Sequence, residues 1–140
     1  MIVFTSPDLA AVENQAASAA PSEACGLLEG TTHEGRCTVI RVHPSQNVAP
    51  DPARRFEVDP RLLLRLQKDL RGRSTGVIGI YHSHPRGSAA PSATDLAMAW
   101  QPELVWVITA LGPPVRTAAF RLTGDAIEQI DISVTAPAAV

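Results

Sequence analysis

The 140-residue sequence contains few cysteines, no long apolar run and no excess of charge of one sign. Its two cysteines, Cys25 and Cys37, cannot form the set of disulfides that holds a small secreted domain together. No apolar run approaches the ~18–20 residues that span a bilayer. The first residues also lack the basic flank and apolar stretch of a signal peptide. We therefore expect a cytoplasmic protein with free thiols and no membrane span.

The charge pattern indicates no nucleic-acid surface. The formal net charge is -2 and the isoelectric point is about 6.0, with lysine and arginine scattered along the chain. One short basic group, Arg54, Arg55, Arg61 and Arg65, is interpreted as a solvated face. We therefore expect no nucleic-acid partner for this protein.

Length and composition predict one folded domain. The hydrophobic fraction of 45% and the charged fraction of 19% are typical of a folded soluble chain. There is no internal repeat, low-complexity tract or convincing linker. We expect a single domain over residues 1–134, followed by a flexible tail at residues 135–140.

Hydrophobic periodicity predicts a mixed α/β fold in which strands outnumber helices. Helices are expected after the Ser6-Pro7 cap to about Ala19, after Asp59-Pro60, and from Ser92 to near Trp100. Strands are expected at Ile2–Thr5, Ala24–Glu29, Cys37–His43, Phe56–Val58, Val77–Tyr81, Leu104–Ala110, Val115–Leu122 and Ala126–Val134. Thr31–Gly35 predicts a hairpin turn that places Cys25 and Cys37 at opposite ends of the ladder. The proline-rich loop Pro44–Arg55 is long enough to suggest a function.

The most informative stretch follows the buried strand Val77–Tyr81. Residues i and i+2 of a strand point to the same side, so His82 and His84 can face one metal ion. Asp95, in the first turn of the next helix, could supply a third ligand, leaving a fourth position open as in catalytic zinc sites. Ser92 lies one turn earlier on the same helical face and is placed to donate to an oxyanion.

Each of these elements also has an ordinary structural interpretation. A histidine at a strand end is commonly a surface or core residue, and Ser92-x-x-Asp95 resembles a capping box. Two histidines, a serine and an aspartate at these spacings should arise by chance in roughly one chain of this length in a few thousand. The combination therefore favours a metal centre, with which a capping role for Ser92 is compatible.

The same residues resemble the signature of the JAMM (MPN+) metalloproteases. His82-x-His84, seven residues, Ser92, two residues and Asp95 match the family's metal motif, and Gly79–Pro85 matches its metal strand. The segment Ser22–Gly30 is similar to the one that carries the family's glutamate, here Glu23. The resemblance covers nearly the whole chain in order and implies a JAMM/MPN (cytidine deaminase-like) α/β fold, with a mixed sheet flanked by helices.

The resemblance also implies a function. It implies that His82, His84 and Asp95 bind Zn²⁺, that Glu23 activates water and passes its proton to the leaving amine, and that Ser92 hydrogen-bonds the tetrahedral intermediate. The implied substrate is a peptide or isopeptide bond after the diglycine tail of a ubiquitin-like protein. Short bacterial members of this type act on β-grasp sulfur-carrier proteins. The Pro44–Arg55 loop and the strand near Phe56 are expected to wall the groove for that tail.

Without the resemblance, Glu23 would be interpreted as a solvated charge. Glu29 and Glu57 are weaker candidates for the base, and Cys25 is open to either a packing or a functional role. A non-catalytic MPN-type module that binds a β-grasp partner is the main alternative function.

Other metalloenzymes fit the sequence less well. A cupin has an all-β barrel and a further downstream histidine, and none follows His84. A nucleobase deaminase needs His-x-Glu with Pro-Cys-x-x-Cys, and neither occurs in the sequence. The RadC-like branch carries a helical DNA-binding region before the domain, which the sequence does not show.

Overall fold

The computed structural model of the chain describes residues 1–97, 103–123 and 126–137. Over these residues the strands are β1 (Ile2–Thr5), β2 (Cys25–His33), β3 (Arg36–Ser45), β4 (Gly76–His84), β5 (Val105–Ala110), β6 (Arg116–Thr123), β7 (Ala126–Ile130) and β8 (Ile132–Thr135). The helices are α1 (Ser6–Ala19), α2 (Pro60–Asp69) and α3 (Ala93–Ala97). The predicted α/β class, in which strands outnumber helices, is confirmed.

All of these strands join one mixed sheet in the order β7-β6-β5-β4-β2-β3-β1-β8. β4 and β5 are parallel, and β1 runs parallel to both of its neighbours. β7 and β8 lie at opposite edges, yet only Asp131 separates them along the chain. One residue spans at most about 3.6 Å, so the sheet must curl until its two edges approach each other.

The curl corrects the prediction of one strand over Ala126–Val134. The strand is interrupted at Asp131, whose carbonyl accepts a 2.9 Å hydrogen bond from the Ile2 N–H. β7 pairs with β6, whereas β8 pairs with β1 at the other edge. Local sequence cannot reveal this break because both halves are equally β-prone.

The two sides of the sheet carry separate apolar clusters. Leu28 packs on the α1 side with Ile2, Phe4 and Val12. The preceding residue, Leu27, points to the opposite face of the sheet and packs against Leu62 and Leu66 of α2. Ile80 of β4 lies on this second side, between the α2 cluster and the cluster around Trp106, Ile108 and Phe120.

The helix caps agree with prediction at α2 and differ at α1. Asp59 accepts a 3.0 Å hydrogen bond from the Arg61 N–H and precedes Pro60, as expected. At α1 the cap is Thr5, whose Oγ1 accepts from the Asp8 N–H at 3.2 Å. The prediction of Ser6 as the cap was therefore wrong by one residue: Ser6 is already helical, because β1 runs directly into the helix.

The β2–β3 hairpin is confirmed and is longer than predicted. Its turn is Glu34-Gly35, with φ values of 50° and 78°, which a two-residue turn of type I′ requires. Cys25 pairs with Ser45 and Cys37 with Thr32, so the two free thiols do lie at opposite ends of the ladder.

The predicted strand Phe56–Val58 does not form. Val58 makes only an isolated bridge to Asn47, because side-chain hydrogen bonds hold the surrounding segment in a different path. The predicted end of the third helix near Trp100, and residues 124–125 between the last two predicted strands, lie outside the described residues. The boundary between domain and tail stays a prediction; β8 ends at Thr135. No helix among the described residues is long and apolar enough to cross a membrane.

Candidate metal centre

Two histidines end strand β4 on the side of the sheet that faces α2. His82 and His84 alternate with Ser83, so both imidazoles lie on the same side as Ile80. Their Nε2 atoms are 3.1 Å apart, and both residues are buried. The strand therefore presents two imidazole nitrogens to one point, as the sequence predicts.

Asp95 completes a three-residue group. Its Oδ2 lies 3.1 Å from the Nε2 of His82 and 3.0 Å from the Nε2 of His84. The N–H of Ser92 donates to the same Oδ2 at 2.9 Å, and the N–H of Asp95 donates to the Oγ of Ser92 at 3.0 Å. This is a reciprocal capping arrangement. The cap thus orients the aspartate toward the histidines while leaving the Ser92 hydroxyl hydrogen free to donate.

Glu23 joins the group from the segment between α1 and β2. The potential ligand atoms of Glu23, His82, His84 and Asp95 all lie within 4.8 Å of one another. Among the described residues, Glu23 Oε1 is the buried side-chain oxygen that has no hydrogen-bond partner. Burial raises the pKa of Glu23 to about 7, an effect that His84 opposes and Asp95 reinforces. The structure therefore brings together all four residues that the sequence analysis selected for the metal and the base.

The protonation pattern shows that this group fits a metal cation. Nδ1 of His84 lies 2.8 Å from the Ser88 carbonyl, which can only accept, so Nδ1 carries the hydrogen. Nε2 then directs a lone pair at the Asp95 carboxylate. Two acceptors 3.0 Å apart repel unless a positive charge lies between them. Burial lowers the pKa of His84, but its bonds to Asp95 and Ser88 outweigh burial and raise it. The site therefore favours a positive charge between the His84 ring and the Asp95 carboxylate. A bound metal ion would supply that charge.

The pKa values of His82 and Asp95 are shifted as well. Burial lowers the pKa of His82, which favours the neutral imidazole that binds metals. Burial raises the pKa of Asp95, but its contacts with both histidines outweigh burial and lower the pKa well below its usual range. The His82 imidazole and the Asp95 carboxylate are therefore held in the forms that bind a borderline divalent metal.

The main chain around Glu23 is held from two directions. Ser83 Oγ accepts a 2.7 Å hydrogen bond from the Ala24 N–H, and the Ser83 N–H donates to the Ala24 carbonyl at 3.0 Å. From the other side, the Pro52 carbonyl accepts from the Glu23 N–H at 2.7 Å, and Asn47 Nδ2 donates to the Glu23 carbonyl at 3.0 Å. Sequence analysis missed both Ser83 and Asn47. The only signal for Ser83 is its place between the two histidines.

Asn47 also organises the loop that follows β3. Its Nδ2 donates to the Arg55 carbonyl at 3.0 Å, and its Oδ1 accepts from the Glu57 N–H at 3.1 Å. These two bonds bracket Phe56, whose ring stacks on His82 with centroids 4.2 Å apart and planes 15° from parallel. The expectation that Phe56 lies in a strand is therefore corrected. It instead packs on the imidazole and restricts its orientation.

The close approach of β2 to β4 depends on Gly26. A Cβ there would lie 2.5 Å from the His43 carbonyl oxygen and would overlap the ring of Tyr81. The Tyr81 hydroxyl donates to Gln15, whose Nε2 donates to the Cys25 carbonyl at 3.1 Å. This chain of contacts ties α1 to the strand that begins just after Glu23.

The remaining candidates do not reach the four residues Glu23, His82, His84 and Asp95, which we call the metal group. Glu29 is buried in a separate cluster, where its carboxylate accepts from Arg41 and Thr75 and contacts His43. Glu57 is exposed and contributes its main chain to the loop. Cys25 is fully buried, and burial raises the pKa of its thiol to about 12. Cys25 is therefore a packing residue.

A cleft opens from the metal group to solvent. It encloses about 500 Å³ and is formed by Glu23, His84, Ser92 and the loops after α1, β3 and β4. Its lining residues are Pro21, Glu23, Ala53, Arg54, His84, Pro85, Arg86 and Ser92. A substrate bond lying in this cleft would contact Glu23 and Ser92 together.

Comparison with known proteins identifies the family. Residues 6–123 match the family described as prokaryotic homologs of the JAB domain. The chain belongs to this family. The JAMM/MPN resemblance seen in the sequence is thereby confirmed.

Two curated relatives of this prokaryotic JAB domain are enzymes by name. A desampylase of Haloferax volcanii is 35% identical over 119 residues, which cover 85% of this chain and 83% of that protein. The CysO-cysteine peptidase of Mycobacterium tuberculosis is 28% identical over 116 residues, which cover 81% of this chain and 77% of that protein.

Solved structures agree with the fold. A Desulfitobacterium hafniense protein known from its solution structure is 33% identical, with a TM-score of 0.87 over 97% of this chain and 94% of that one. A JAB1/MPN domain protein of Archaeoglobus fulgidus is 20% identical, with a TM-score of 0.62 over 96% of this chain and 98% of that one. The JAMM/MPN architecture predicted from the sequence is confirmed.

Proposed function

We propose that this prokaryotic JAB domain is a zinc-dependent hydrolase that cleaves a peptide or isopeptide bond after the diglycine tail of a ubiquitin-like, β-grasp sulfur-carrier protein. One observation carries the proposal: the buried group His82, His84, Asp95 and Glu23 lies at the end of an open cleft, with Glu23 Oε1 unpartnered. The names of the desampylase and the CysO-cysteine peptidase support the substrate class.

His82, His84 and Asp95 are the residues that would hold the zinc. Two imidazoles and one carboxylate are a common catalytic ligand set, and the carboxylate of Glu23 lies within 4.8 Å of all three. When bound there, zinc would polarise the scissile carbonyl and lower the pKa of water to about 7. Phe56 stacked on His82, and the Ser88 carbonyl bonded to His84, keep the two rings in the orientation that ligation needs.

Glu23 is the proposed general base and acid. Its carboxylate accepts a proton from the attacking water, whose oxygen bonds to the carbonyl carbon of the terminal glycine. As the C–N bond breaks, Glu23 returns that proton to the leaving amine, and the products are a free carboxylate and an amine. Burial raises the pKa of Glu23, so its carboxylate is a stronger base than that of a solvated glutamate.

Ser92 is the proposed oxyanion donor. Its Oγ already accepts from the Asp95 N–H, which leaves the hydroxyl hydrogen to point into the cleft that Ser92 lines. There it would donate to the carbonyl oxygen as negative charge develops. The cap therefore uses the hydroxyl oxygen of Ser92 as an acceptor, and the catalytic role uses the hydroxyl hydrogen as a donor.

A diglycine tail suits the approach to Glu23. Pro21, Ala53 and Pro85 line the cleft, and a glycine pair, which has no side chains, can lie extended between such walls. The loop after β3, which the sequence analysis suggested as a wall, contributes Ala53 and Arg54. The buried free cysteines agree with a cytoplasmic location, which is part of the proposal.

Mass spectrometry of a β-grasp carrier fused through Gly-Gly to a short peptide tests this function. We expect zinc-loaded protein to cut after the second glycine, and to slow strongly when bulky residues replace both glycines. A non-catalytic binding module would bind the carrier without cutting it. Binding without cleavage at full zinc occupancy would refute the hydrolase proposal, while equal cleavage of the bulky tails would refute the narrow groove.

A further inference from the structure

Ser83 separates the two histidines of the metal group and points to the opposite side of the sheet. His82 and His84 lie on the α2 side, whereas Ser83 follows Tyr81 by two residues, and Tyr81 packs on the α1 side. Ser83 is buried and is not among the described residues that line the cleft. Any effect of the Ser83 hydroxyl on the reaction must therefore act through another residue.

The pairing of β2 with β4 changes at Ser83. In a regular antiparallel ladder, two opposite residues of a hydrogen-bonded pair exchange both of their N–H···O=C bonds. One of these bonds is present, because the Ser83 N–H donates to the Ala24 carbonyl at 3.0 Å. The Ala24 N–H, however, donates to the Ser83 Oγ at 2.7 Å instead of to the Ser83 main-chain carbonyl. A side chain has thus replaced the main chain as acceptor, one pair beyond Cys25 and His82.

This change of acceptor occurs in the peptide group that follows the proposed base. The Glu23 carbonyl and the Ala24 N–H belong to one planar peptide. The N–H is held by Ser83 Oγ, and the carbonyl accepts a 3.0 Å hydrogen bond from Asn47 Nδ2. Side chains from two distant segments therefore fix the plane of this peptide, and the plane sets the direction in which the Glu23 side chain leaves the main chain.

We propose that Ser83 is a positioning residue for Glu23: its hydroxyl turns the Glu23–Ala24 peptide out of the β2–β4 ladder and so directs the Glu23 carboxylate to the metal group. This inference rests on the proposed function, because it assigns Ser83 a part in that reaction. Without the hydroxyl, the Ala24 N–H is free to pair with the Ser83 carbonyl, as in a regular ladder. The peptide then rotates and displaces the carboxylate, while both histidines keep their side of the strand.

A purely structural role for a buried hydroxyl is the alternative, and Thr109 provides the comparison. Thr109 lies opposite Ser83 in β5, on the same side of the sheet, and is fully buried. Its hydroxyl is 2.9 Å from that of Thr117, which donates to Glu13 of α1 at 2.8 Å. Loss of either buried hydroxyl should lower Tm, but Ser83 is the one of the two that bonds to the peptide beside the base.

The test compares Ser83→Thr with Ser83→Val, whose side chains have the same shape and differ in a hydroxyl against a methyl group. We expect Ser83→Val to lower kcat for carrier-Gly-Gly-peptide cleavage by about 10²-fold, the effect of displacing a reacting group by about 1 Å. KM should not change, because Ser83 does not contact the substrate. Ser83→Thr keeps the acceptor and should retain most of kcat. Ser83→Ala, which adds no atom to the buried site, should be as slow as Ser83→Val.

Two controls separate the base from the metal ligands and from packing. Zinc content and the visible spectrum of Co²⁺-substituted protein should match wild type in every Ser83 variant, because the proposed ligands are untouched. Thr109→Val should lower Tm and leave kcat unchanged. Loss of zinc in Ser83→Val, or a Thr109→Val protein that is equally slow, would overturn the positioning role.

Crystal structures of the variants give a readout that needs no turnover. The ligand oxygen of Glu23 should stay within 4.8 Å of the other three ligand atoms in Ser83→Thr and lie farther away in Ser83→Val. Equal kcat in Ser83→Thr and Ser83→Val, or an unmoved Glu23 carboxylate in Ser83→Val, would overturn the inference and leave the hydrolase proposal intact. If zinc-loaded wild-type protein cleaves no carrier fusion, the proposed function fails, and with it the inference.

Discussion

The side-chain amide of Asn47 donates a 3.0 Å hydrogen bond to the main-chain carbonyl of Glu23. The two residues are 24 positions apart in the sequence, and the bond joins the loop after β3 to the proposed base. The same side chain also hydrogen-bonds the main chain of Arg55 and Glu57, on either side of Phe56, whose ring stacks on His82. One side chain thus positions both the base and the packing partner of a proposed metal ligand.

Asn47→Asp should lower kcat by about tenfold or more while zinc binding is retained. Aspartate can still accept from the Glu57 N–H, but it presents an oxygen to the Glu23 and Arg55 carbonyls, where the amide had donated. Leaving such groups unpaired costs about 1–3 kcal/mol. Kinetics at measured zinc occupancy test this, with Asn14→Asp on the exposed side of α1 as the matched control. Normal turnover in Asn47→Asp would show that this loop does not position Glu23.

Glu23→Gln should abolish turnover and keep the fold and the metal. An amide cannot accept the proton of water, whereas the proposed ligands His82, His84 and Asp95 are untouched. Zinc content, circular dichroism and the rate of carrier cleavage are the measurements. If the variant cleaves at close to the wild-type rate, Glu23 is not the base.

Purified protein should contain about one zinc per chain, and His84→Ala should lose it. Two remaining ligands hold the ion poorly. Because the ion binds the folded state, a chelator should lower the Tm of the wild-type protein. His33→Ala, at the exposed end of β2, is the control and should keep both zinc and Tm. The absence of any transition metal, with no activity gained on adding zinc, would contradict the metal centre.

Ser92→Ala and Ser92→Asp should separate the cap from the oxyanion donor. Loss of the cap costs about 1 kcal/mol of stability, and loss of an oxyanion donor lowers kcat by about 10²–10³. Aspartate caps helices well but places negative charge beside the developing oxyanion. We therefore expect Ser92→Asp to be as stable as wild type and at least as slow as Ser92→Ala. Near-normal kcat in Ser92→Asp with full zinc occupancy would reduce Ser92 to a cap.

Glu29→Gln should remove part of the dependence of stability on acid pH. Burial raises the pKa of Glu29, but hydrogen bonds from His43 and Thr75 and the charge of Arg41 outweigh it and lower the pKa below 4.5. A carboxyl group with a lowered folded-state pKa stabilises the protein above its unfolded pKa, and this stability is lost as pH falls through the folded pKa. The difference in unfolding free energy between wild type and Glu29→Gln should therefore be largest at neutral pH and shrink below about 4.5.

Denaturant unfolding at several pH values measures that difference. Glu128→Gln, on the exposed edge strand β7, removes the same charge without a buried partner and should show little change. A gap between wild type and Glu29→Gln that stays constant from neutral pH to below 4.5 would show that the carboxylate does not titrate as its surroundings indicate.

The sequence by itself determined the parts of the site that depend on local geometry. His82 and His84 share one side because a strand alternates with a period of two residues. Ser92 and Asp95 meet because they lie one helical turn apart. The hairpin turn and the Asp59-Pro60 cap are likewise encoded within a few residues. Glu23 was different: only its resemblance to a known family selected it, since nothing in its neighbourhood distinguishes it from a solvated charge.

Tertiary structure alone decided what depends on contacts between distant segments. The β2–β4 pairing, with Cys25 opposite His82, brings Glu23 to the histidines. The curled sheet splits one β-prone segment at Asp131 between two edges. Arg54, interpreted from the sequence as part of a solvated face, lines the cleft because the loop that carries it is tied to the main chain of Glu23. Local propensity is the same whichever partner a segment meets, so only the packed fold could assign these residues to the site.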